Sequence, residues 1–402
     1  MTIQMPHAGL RPVIAIIGKR NAGKSSLLNS ITGQEVSIIS DTLGTTTDAV
    51  HKAYELIPVG PVSFYDTAGI DDEGNLGKLR IKATQKIINR ADLIIYVIGK
   101  DGIDTLDEKT FQEIKASDKP FIPVFNYADI IPLNHRNNTI KMLYNGISVS
   151  AKTGLGIEEL KQRIIEVLSP KLKEKPLISD VISPKDTVIL VTPIDTAAPK
   201  GRLIMPEVQV MREALDYHAV VLTVQPEELS QALTTMQSQP PALVVTDSQV
   251  VKTVSDIVPK NIPLTTFSMV LARAKWDFMP MLEGAKAIKN LKDNDKILIA
   301  EACSHRKTCD DIGRVKIPNM LKQYTQKNLQ FDFYNGQDFP EHLTGYALVI
   351  HCGGCLLNQA EATYRIKKCQ SQGVSITNYG MAISIAQGVL DRVSSPLISP
   401  QP

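Results

Sequence analysis

The stretch GKRNAGKS, residues 18–25, decides the fold of the first part of this 402-residue chain. It follows an apolar run at residues 13–17, which predicts a buried strand, and leads into SSLL at residues 25–28, which predicts a helix. The stretch matches G-x-x-x-x-G-K-[ST] in the strand–loop–helix context that this pattern requires. Its glycines let backbone amides point at phosphate oxygens, and the helix N-terminus adds a favourable potential. A chance glycine-rich turn is the alternative.

Two side chains of this loop carry the groups that a nucleoside triphosphate needs. Lys24 is predicted to neutralise the β- and γ-phosphates, and the Ser25 hydroxyl to ligate Mg²⁺. Thr46, within GTTTD at residues 44–48, is predicted to complete the Mg²⁺ shell from a switch loop when γ-phosphate is present. The predicted nucleotide-binding residues of the loop are Gly18, Asn21, Gly23, Lys24, Ser25 and Ser26.

Two acidic motifs, DTAG at residues 66–69 and NYAD at residues 126–129, follow in the expected order. Asp66 is predicted to hold the water shell of the ion, and the Gly69 N–H to contact γ-phosphate. Asp129 is predicted to accept two N–H donors of guanine, a pair that adenine lacks. The Ala151 N–H is placed to meet guanine O6. The predicted catalytic residues are Lys24, Thr46, Asp66 and Gly69, and the predicted base-binding residues are Asn126, Asp129, Ser150, Ala151 and Lys152.

Over residues 11–168 the order and spacing of these motifs resemble the TrmE-Era branch of translation-factor-class GTPases. That resemblance implies a Ras-like P-loop GTPase domain with a mostly parallel sheet, which binds GTP and GDP. The guanine motif of the branch is usually Asn-Lys-x-Asp, and position 127 here is Tyr. Because a Tyr ring can also stack on a base, guanine specificity is retained and weaker nucleotide affinity is expected.

Two further positions bear on the rate of hydrolysis. Asn21 and the Gly-Thr-Thr of residues 44–46 resemble members of the branch that bind K⁺ beside the nucleotide. The alternative is an Asn that merely ties the loop together. Ile70 follows DTAG, where a Gln would orient the attacking water. Slow, K⁺-stimulated hydrolysis of GTP is therefore predicted.

All five cysteines lie in the last quarter of the chain. An odd count in a long chain argues against a disulfide framework and favours a local metal or redox site. CSH at residues 303–305 and HCGGC at residues 351–355 each follow a predicted strand, where loops of a parallel sheet converge. Three thiolates with a nearby His or carboxylate suit either Zn²⁺ or an iron–sulfur cluster. Cys369 is predicted to be a core residue, and Cys309 to be structural.

Alternating strand and helix patterns predict an α/β protein throughout. A charged, proline-bounded stretch at residues 169–176 separates the first domain from two smaller α/β domains. The predicted strands beyond it lie at residues 187–192, 219–224, 242–246, 296–300 and 347–350. The predicted divisions are a GTPase domain at 1–170, a linker at 171–180, a dimerisation domain at 181–262 and a cluster-binding domain at 263–402.

Composition limits the classes of binding partner and the cellular compartment that we expect for this chain. The chain is 43% hydrophobic and 21% charged, with a formal net charge of +2, so no strong field favours nucleic acid or an acidic membrane. No run reaches the roughly 18 apolar residues that a bilayer span needs. The first residues lack the basic and apolar pattern of a signal peptide. A cytoplasmic protein without membrane or nucleic-acid partners is expected.

The combination of motifs resembles the [FeFe]-hydrogenase maturation GTPases, the HydF family. The features that carry the resemblance are the GTPase motifs, CSH and HCGGC, together with TPIDTAAPKGRLIMP at residues 192–206, which is similar to that family's dimerisation domain. The resemblance implies a [4Fe–4S] cluster on Cys303, Cys352 and Cys355. His351, His305 and Asp195 are the candidates for a fourth, exchangeable ligand. Pro199–Arg202 is either a phosphate or cofactor contact or a plain turn.

The resemblance also implies the partners. They are a second copy of the chain in a homodimer, two radical-SAM maturases, and the apo-[FeFe]-hydrogenase that receives a di-iron precursor. Two alternatives stay open at this point: an RNA- or ribosome-associated GTPase with a structural metal, and an iron–sulfur redox enzyme regulated by GTP. The near-neutral charge disfavours the first, and the presence of only three suitably placed cysteines disfavours the second.

Overall fold

The computed structural model describes residues 11–33, 50–71, 83–131, 135–169, 175–194, 203–302, 311–336, 339–354 and 357–398. The chain forms two compact units. The first contains residues 1–173 and 356–364, and the second contains residues 174–355 and 365–402.

The first unit is built on a six-stranded sheet with the order β2-β3-β1-β4-β5-β6. Only β2 runs antiparallel, against β3, and the other neighbours pair in parallel. Its strands are β1 Val13–Gly18, β2 Val50–Leu56, β3 Gly60–Asp66, β4 Leu93–Ile98, β5 Phe121–Phe125 and β6 Ile147–Ser148. Its helices include α1 Lys24–Thr32, α2 Thr105–Ala116, α3 His135–Leu143 and α4 Ile157–Leu168.

The central strands of this sheet are apolar on both faces because helices cover both sides. All six residues of β1 and all six of β4 are buried. Helix α4 buries Ile157, Leu160, Ile164 and Leu168 at helical spacing against one face. Phe111 of α2 packs on the other face, edge-on to Tyr96 with ring centroids 4.7 Å apart.

A short segment from near the C-terminus belongs to this first unit. The Asn358 side-chain amide donates to the Arg90 carbonyl at 2.7 Å and to the Asp92 carboxylate at 2.9 Å. Asp92 in turn accepts the Val13 N–H at 2.8 Å. This segment is therefore attached through Asn358 at the amino ends of β1 and β4. The motif loops follow the opposite, carboxyl ends of the strands.

The second unit contains two four-stranded, all-parallel sheets. Their strand orders are β10-β9-β7-β8 and β12-β11-β13-β14. The strands are β7 Thr187–Val191, β8 Val220–Val224, β9 Leu243–Thr246, β10 Leu264–Thr266, β11 Lys296–Glu301, β12 Gln330–Asn335, β13 Tyr346–His351 and β14 Ser375–Asn378. The helices are α5 Met205–Asp216, α6 Leu229–Thr235, α7 Val251–Ile257, α8 Phe267–Lys275, α9 Phe278–Ala287, α10 Ile317–Thr325, α12 Tyr379–Ala386 and α13 Leu390–Ile398. Helix α11 Gln359–Ser371 belongs to the first unit up to Tyr364 and to the second from Arg365 onward.

Helices and hydrogen bonds join the two sheets of this unit. Arg392 of α13 donates to the Val258 carbonyl at 2.7 Å and to the Pro259 carbonyl at 2.9 Å. The Thr265 hydroxyl of β10 donates to the Val393 carbonyl at 2.8 Å. The fold class is confirmed as α/β with a P-loop domain, and the divisions at residues 181–262 and 263–402 stay a proposal.

Candidate nucleotide site and cysteine loop

In each of the three sheets the chain adds strands first on one side of a central strand and then on its other side. This switch point lies between β1 and β4, between β7 and β9, and between β11 and β13. Ligands of open α/β sheets bind outside the carboxyl ends of the strands at such points. The loop after β1 carries residues 18–25, and the loops after β11 and β13 lead into the cysteine motifs.

The phosphate loop has the backbone that its glycines permit. Gly23 has φ +90° and precedes α1, and an added Cβ there would collide with the Asn126 amide. Asn21 has φ +56°, in the left-handed region. Lys24 is 9% exposed, and its ammonium donates to the Lys19 carbonyl at 2.7 Å and the Gly18 carbonyl at 3.1 Å. The loop thus curls around the predicted phosphate-binding Lys.

Ser25 and Asp66 meet beside this loop, where Mg²⁺ is expected. The Ser25 hydroxyl donates to one carboxylate oxygen of Asp66, and the other oxygen, Oδ1, is buried without a hydrogen-bond partner. Burial raises the pKa of Asp66 above its ordinary value, although the Ser25 hydrogen bond and the Lys24 charge oppose the shift. A buried carboxylate oxygen that lacks a donor fits the coordination shell of a hydrated cation.

Asn126 joins the phosphate loop to the guanine-binding loops. Its amide group donates to the Ala22 carbonyl at 3.1 Å, and its oxygen accepts the N–H groups of Tyr127 at 2.9 Å and Ala151 at 3.1 Å. Ser150 is 1% exposed, and its hydroxyl accepts the Thr153 N–H at 3.2 Å. The structure therefore brings together NYAD, the loop at residues 150–152 and residues 18–25, as the motif order predicts.

Tyr127 stands where the guanine motif usually has Lys, and it makes its own contacts with the surrounding loops. Its backbone is left-handed, with φ +66°, and its hydroxyl donates to the Asn21 carbonyl at 3.2 Å. The Lys100 ammonium lies 4.9 Å from the centre of the Tyr127 ring. The ring is thus tied to the phosphate loop and lies next to a positive charge.

Several predicted residues lie at this site with exposed side chains. Asn21, Ser25, Ser26, Asp129 and Lys152 are exposed. Gly69 packs against Arg20, whose backbone N–H donates to the Asp71 carboxylate at 2.8 Å. Thr46 lies outside the described residues.

A buried network under the phosphate loop was missed by the sequence reasoning. The Lys19 ammonium contacts Asp107 and Asp104, each at 2.6 Å, and the Tyr96 hydroxyl donates to Asp107 at 2.6 Å. Asp107 is 2% exposed. Burial opposes a charged Lys19, but the hydrogen bonds that it donates to both carboxylates, together with their negative charges, outweigh burial and raise its pKa. The hydrogen bond from Lys19 in turn lowers the pKa of Asp104 to about 2. The only sequence signal was a Lys at a variable position of the motif.

The second constellation lies at the carboxyl ends of β11 and β13, which are adjacent and parallel. Ala300 pairs with His351 in this register. The Cys352 sulfur accepts the Ala302 N–H at 3.1 Å, and the Cys352 N–H donates to the Ala300 carbonyl at 2.9 Å. Ala302 is the last described residue before Cys303 in the sequence, so the described contact joins Cys352 to the end of the strand that precedes the first cysteine motif.

Helix α8 supports the loop after Cys352. The Lys275 ammonium donates to the Gly354 carbonyl at 2.7 Å. Gly354 has φ +64°, and an added Cβ would lie 2.7 Å from the Trp276 ring. His351 lies on the same ring, with centroids 4.8 Å apart. Sequence reasoning did not identify Lys275 or Trp276, which lie far from the cysteines along the chain.

His351 is fully buried, and both ring nitrogens have partners. Nδ1 lies 2.8 Å from the Cys352 carbonyl oxygen, and Nε2 lies 2.8 Å from the Arg365 guanidinium. Cys369 is also fully buried, and burial raises its pKa to about 12, so its prediction as a core residue is confirmed.

The remaining predicted metal ligands fall outside the described part of the chain. They are Asp195, Cys303, His305 and Cys355, and Cys309 and residues 199–202 lie outside it as well. Among the residues that are described, no group of three or more His, Cys, Asp or Glu side chains is placed to hold a metal ion. Nor does any helix in these residues have the length and apolar character to cross a membrane.

Comparison with known families divides the chain into three matched segments. Residues 13–127 match the model of the 50S ribosome-binding GTPase family. Residues 177–276 match the hydrogen maturase F dimerization domain, and residues 279–396 match the hydrogen maturase F tetramerization domain. The chain belongs to the HydF family. It combines a GTPase domain with the dimerization and tetramerization domains of hydrogen maturase F, and the predicted family is confirmed.

Similar individual proteins match the GTPase domain of this HydF-family chain. GTPase Der of Clostridium kluyveri is 34% identical over 165 residues, which cover 39% of this chain and 36% of that protein. The tRNA modification GTPase MnmE of Endomicrobium trichonymphae is 37% identical over 164 residues, 38% of this chain and 35% of that protein. The chain thus spans about a third of the length of these relatives. Among solved structures, Aquifex aeolicus Era bound to GDP and aluminium fluoride is 23% identical with a TM-score of 0.34, covering 53% of this chain and 92% of Era.

Proposed function

We propose that this chain is a GTP-hydrolysing scaffold and carrier for maturation of the [FeFe]-hydrogenase active site. It binds a [4Fe–4S] cluster and passes a di-iron precursor, its cargo, to the apo-hydrogenase. Its other partners are two radical-SAM maturases and further copies of itself. The observation that carries the proposal is that two domains specific to hydrogen maturase F, at residues 177–276 and 279–396, follow a GTPase domain in one chain.

The nucleotide part of the proposal assigns roles to residues that the fold brings together. Lys24 binds the β- and γ-phosphates, and Ser25, Thr46 and Asp66 hold Mg²⁺, directly or through its water shell. Mg²⁺, when bound, neutralises charge on the phosphates. Asp129 and the Ala151 N–H recognise guanine; in this structure that N–H donates to Asn126, whose amide also donates to the Ala22 carbonyl of the phosphate loop.

The rate of hydrolysis is proposed to depend on K⁺ held by Asn21 and the loop at residues 44–46. Ile70 provides no hydrogen-bonding group for the attacking water, so the cation supplies the charge that an arginine finger would bring. Steady-state rates measured in K⁺ and in Na⁺ at equal ionic strength test this part. Faster hydrolysis in K⁺ supports it, and equal rates contradict it.

The cluster part of the proposal rests on the donor set at the edge of the third sheet. Cys303, Cys352 and Cys355 provide three thiolates, which leaves one iron for an exchangeable ligand such as His305 or Asp195. Cys352 supports this arrangement because its sulfur already faces the chain that leads into Cys303. The bound cluster supplies a coordination site at which cargo can attach.

The test of the whole proposal is anaerobic reconstitution with iron and sulfide, followed by EPR spectroscopy of the reduced protein. A [4Fe–4S] signal that shifts on addition of imidazole, and that is lost in Cys303→Ala, is the expected result. Cys369→Ala is the matched control, since Cys369 is fully buried and should leave the signal unchanged. One tightly held zinc and no cluster would refute the proposal and favour a GTPase with a structural metal.

A further inference from the structure

A buried arginine lies behind the cysteine loop. Arg365 of α11 is 0% exposed, and its guanidinium Nη1 lies 2.8 Å from Nε2 of the equally buried His351. The guanidinium also lies over the Phe339 ring, 5.0 Å from its centre, where a cation–π contact offsets part of the cost of burial. The contact with His351 places this buried charge directly behind the cysteine loop.

The hydrogen-bonding capacity of the two side chains determines the state of the histidine. A guanidinium only donates, so Nε2 of His351 must accept and carries no proton. A carbonyl oxygen only accepts, so Nδ1 must carry the proton that is shared with the Cys352 carbonyl. His351 is therefore the neutral Nδ1–H tautomer, and its one lone pair for a metal points at Arg365.

We propose that Arg365 is a positioning residue that fixes this tautomer of His351, anchors the Cys352 carbonyl, and keeps His351 from becoming a ligand of the cluster. Nδ1 has no lone pair to give because it is protonated, and Nε2 gives its lone pair to Arg365. This inference rests on the proposed cluster site. It leaves the fourth iron position to His305, Asp195 or an exogenous ligand.

The surroundings of the imidazole reinforce this assignment. The Trp276 ring contacts the His351 ring in a tilted arrangement, with centroids 4.8 Å apart, and the preceding residue, Lys275, donates to the Gly354 carbonyl. A rotation that carried Nε2 toward the thiolates would break the 2.8 Å Arg365 contact inside a fully buried site and leave Nε2 without its donor. The loss of this buried, charge-assisted hydrogen bond opposes that rotation.

The contact itself is tested in the metal-free protein with a double-mutant cycle. His351→Phe and Arg365→Met are each expected to lower the melting temperature of the full chain by about 10 °C, the scale of a broken buried charged contact. The double variant should be no less stable than the worse single variant, because both substitutions remove the same interaction. Additive losses would overturn the inference whether or not a cluster assembles.

The consequence for ligation is tested on reconstituted protein with ¹⁵N-labelled histidine by pulsed EPR spectroscopy. His351→Gln should leave the nitrogen couplings of the wild-type cluster unchanged. Arg365→Met should add a strong coupling that disappears in Arg365→Met/His351→Phe, and Arg365→Lys should restore the wild-type spectrum. Lys367→Met, which removes a charge from the exposed face of the same helix, is the matched control.

Three outcomes separate this inference from the proposed function. A wild-type histidine coupling that His351→Gln abolishes would overturn the inference while leaving the cluster in place. So would an Arg365→Met variant that assembles the cluster without a new coupling. Failure of the wild type to assemble any cluster would refute the proposed function, and the metal-free cycle would still decide whether Arg365 fixes His351.

Discussion

Asp107 lies beneath the phosphate loop, and removal of its carboxylate should destabilise the nucleotide-binding unit. Asp107 accepts hydrogen bonds from the Lys19 ammonium at 2.6 Å, the Tyr96 hydroxyl at 2.6 Å and the Asp104 N–H at 2.8 Å. Each hydrogen bond to a charged group contributes about 1.5–3 kcal/mol, and breaking a buried charged pair costs about 3–5 kcal/mol. Lys19 keeps its contact with Asp104, so we expect a loss of about 3–4 kcal/mol for Asp107→Ala.

Calorimetry of the full chain with and without GDP provides the assay. The transition that GDP raises belongs to the nucleotide-binding unit, and Asp107→Ala should lower it by about 10 °C. GDP affinity should fall as well, because the Lys19 carbonyl is an acceptor for Lys24.

The matched control is Asp104→Asn. Asn caps a helix as well as Asp does, so the substitution removes only the charge of a carboxylate that is 57% exposed. An exposed ion pair contributes less than about 1 kcal/mol. If Asp104→Asn and Asp107→Ala lowered the transition equally, the reasoning from burial would be refuted.

Three more expectations follow from the two sites. Asp66→Asn should abolish GTP hydrolysis yet raise the melting temperature of the nucleotide-free protein at neutral pH, because burial raises the pKa of Asp66 and its charge costs stability. As pH falls through the folded-state pKa of Asp66, the carboxylate is protonated and the cost of its charge disappears. The difference in melting temperature between Asp66→Asn and the wild type should therefore shrink on acidification. A difference that grows would contradict the raised pKa. Tyr127→Lys should lower the dissociation constant of GDP measured by calorimetric titration. An unchanged constant would contradict the expectation that Tyr127 weakens nucleotide binding. Emission from Trp276, the one tryptophan of the chain, should be quenched as the cluster assembles but not in Cys352→Ala; equal quenching in both would place the cluster elsewhere.

Much of the fold could be predicted because its central strands are continuous apolar runs. The predicted strands at residues 13–17, 187–192 and 296–300 correspond to β1, β7 and β11, and the helix predicted from residues 25–28 to α1. The strands that were missed lie at the edges of their sheets. β12, for example, is QFDFYN, and none of its residues is fully buried, so a search for apolar runs passes over it.

The residues of the two candidate sites also fall into those that the sequence predicts and those that only the structure reveals. The loop at residues 18–25 has a local backbone pattern that is typical of phosphate binding, and such local patterns can be recognised in a sequence. Asp107 and Arg365 act through partners 88 and 14 residues away. In α11 a signal was present, since Arg365 occupies the buried face with Ala362 and Cys369. Only the folded chain shows that His351 is its partner.

The packing of the second unit limits how its two family-specific segments can be exchanged in evolution or in the laboratory. Arg392, from the C-terminal segment, donates to carbonyls of Val258 and Pro259 in the preceding one. Gly380 packs so closely against Ser268 that an added Cβ would collide with its hydroxyl. A chimera that replaces only residues 177–276 with those of a distant relative must therefore match the contacts of both segments. Recombination is expected to preserve function only where the two segments are inherited together.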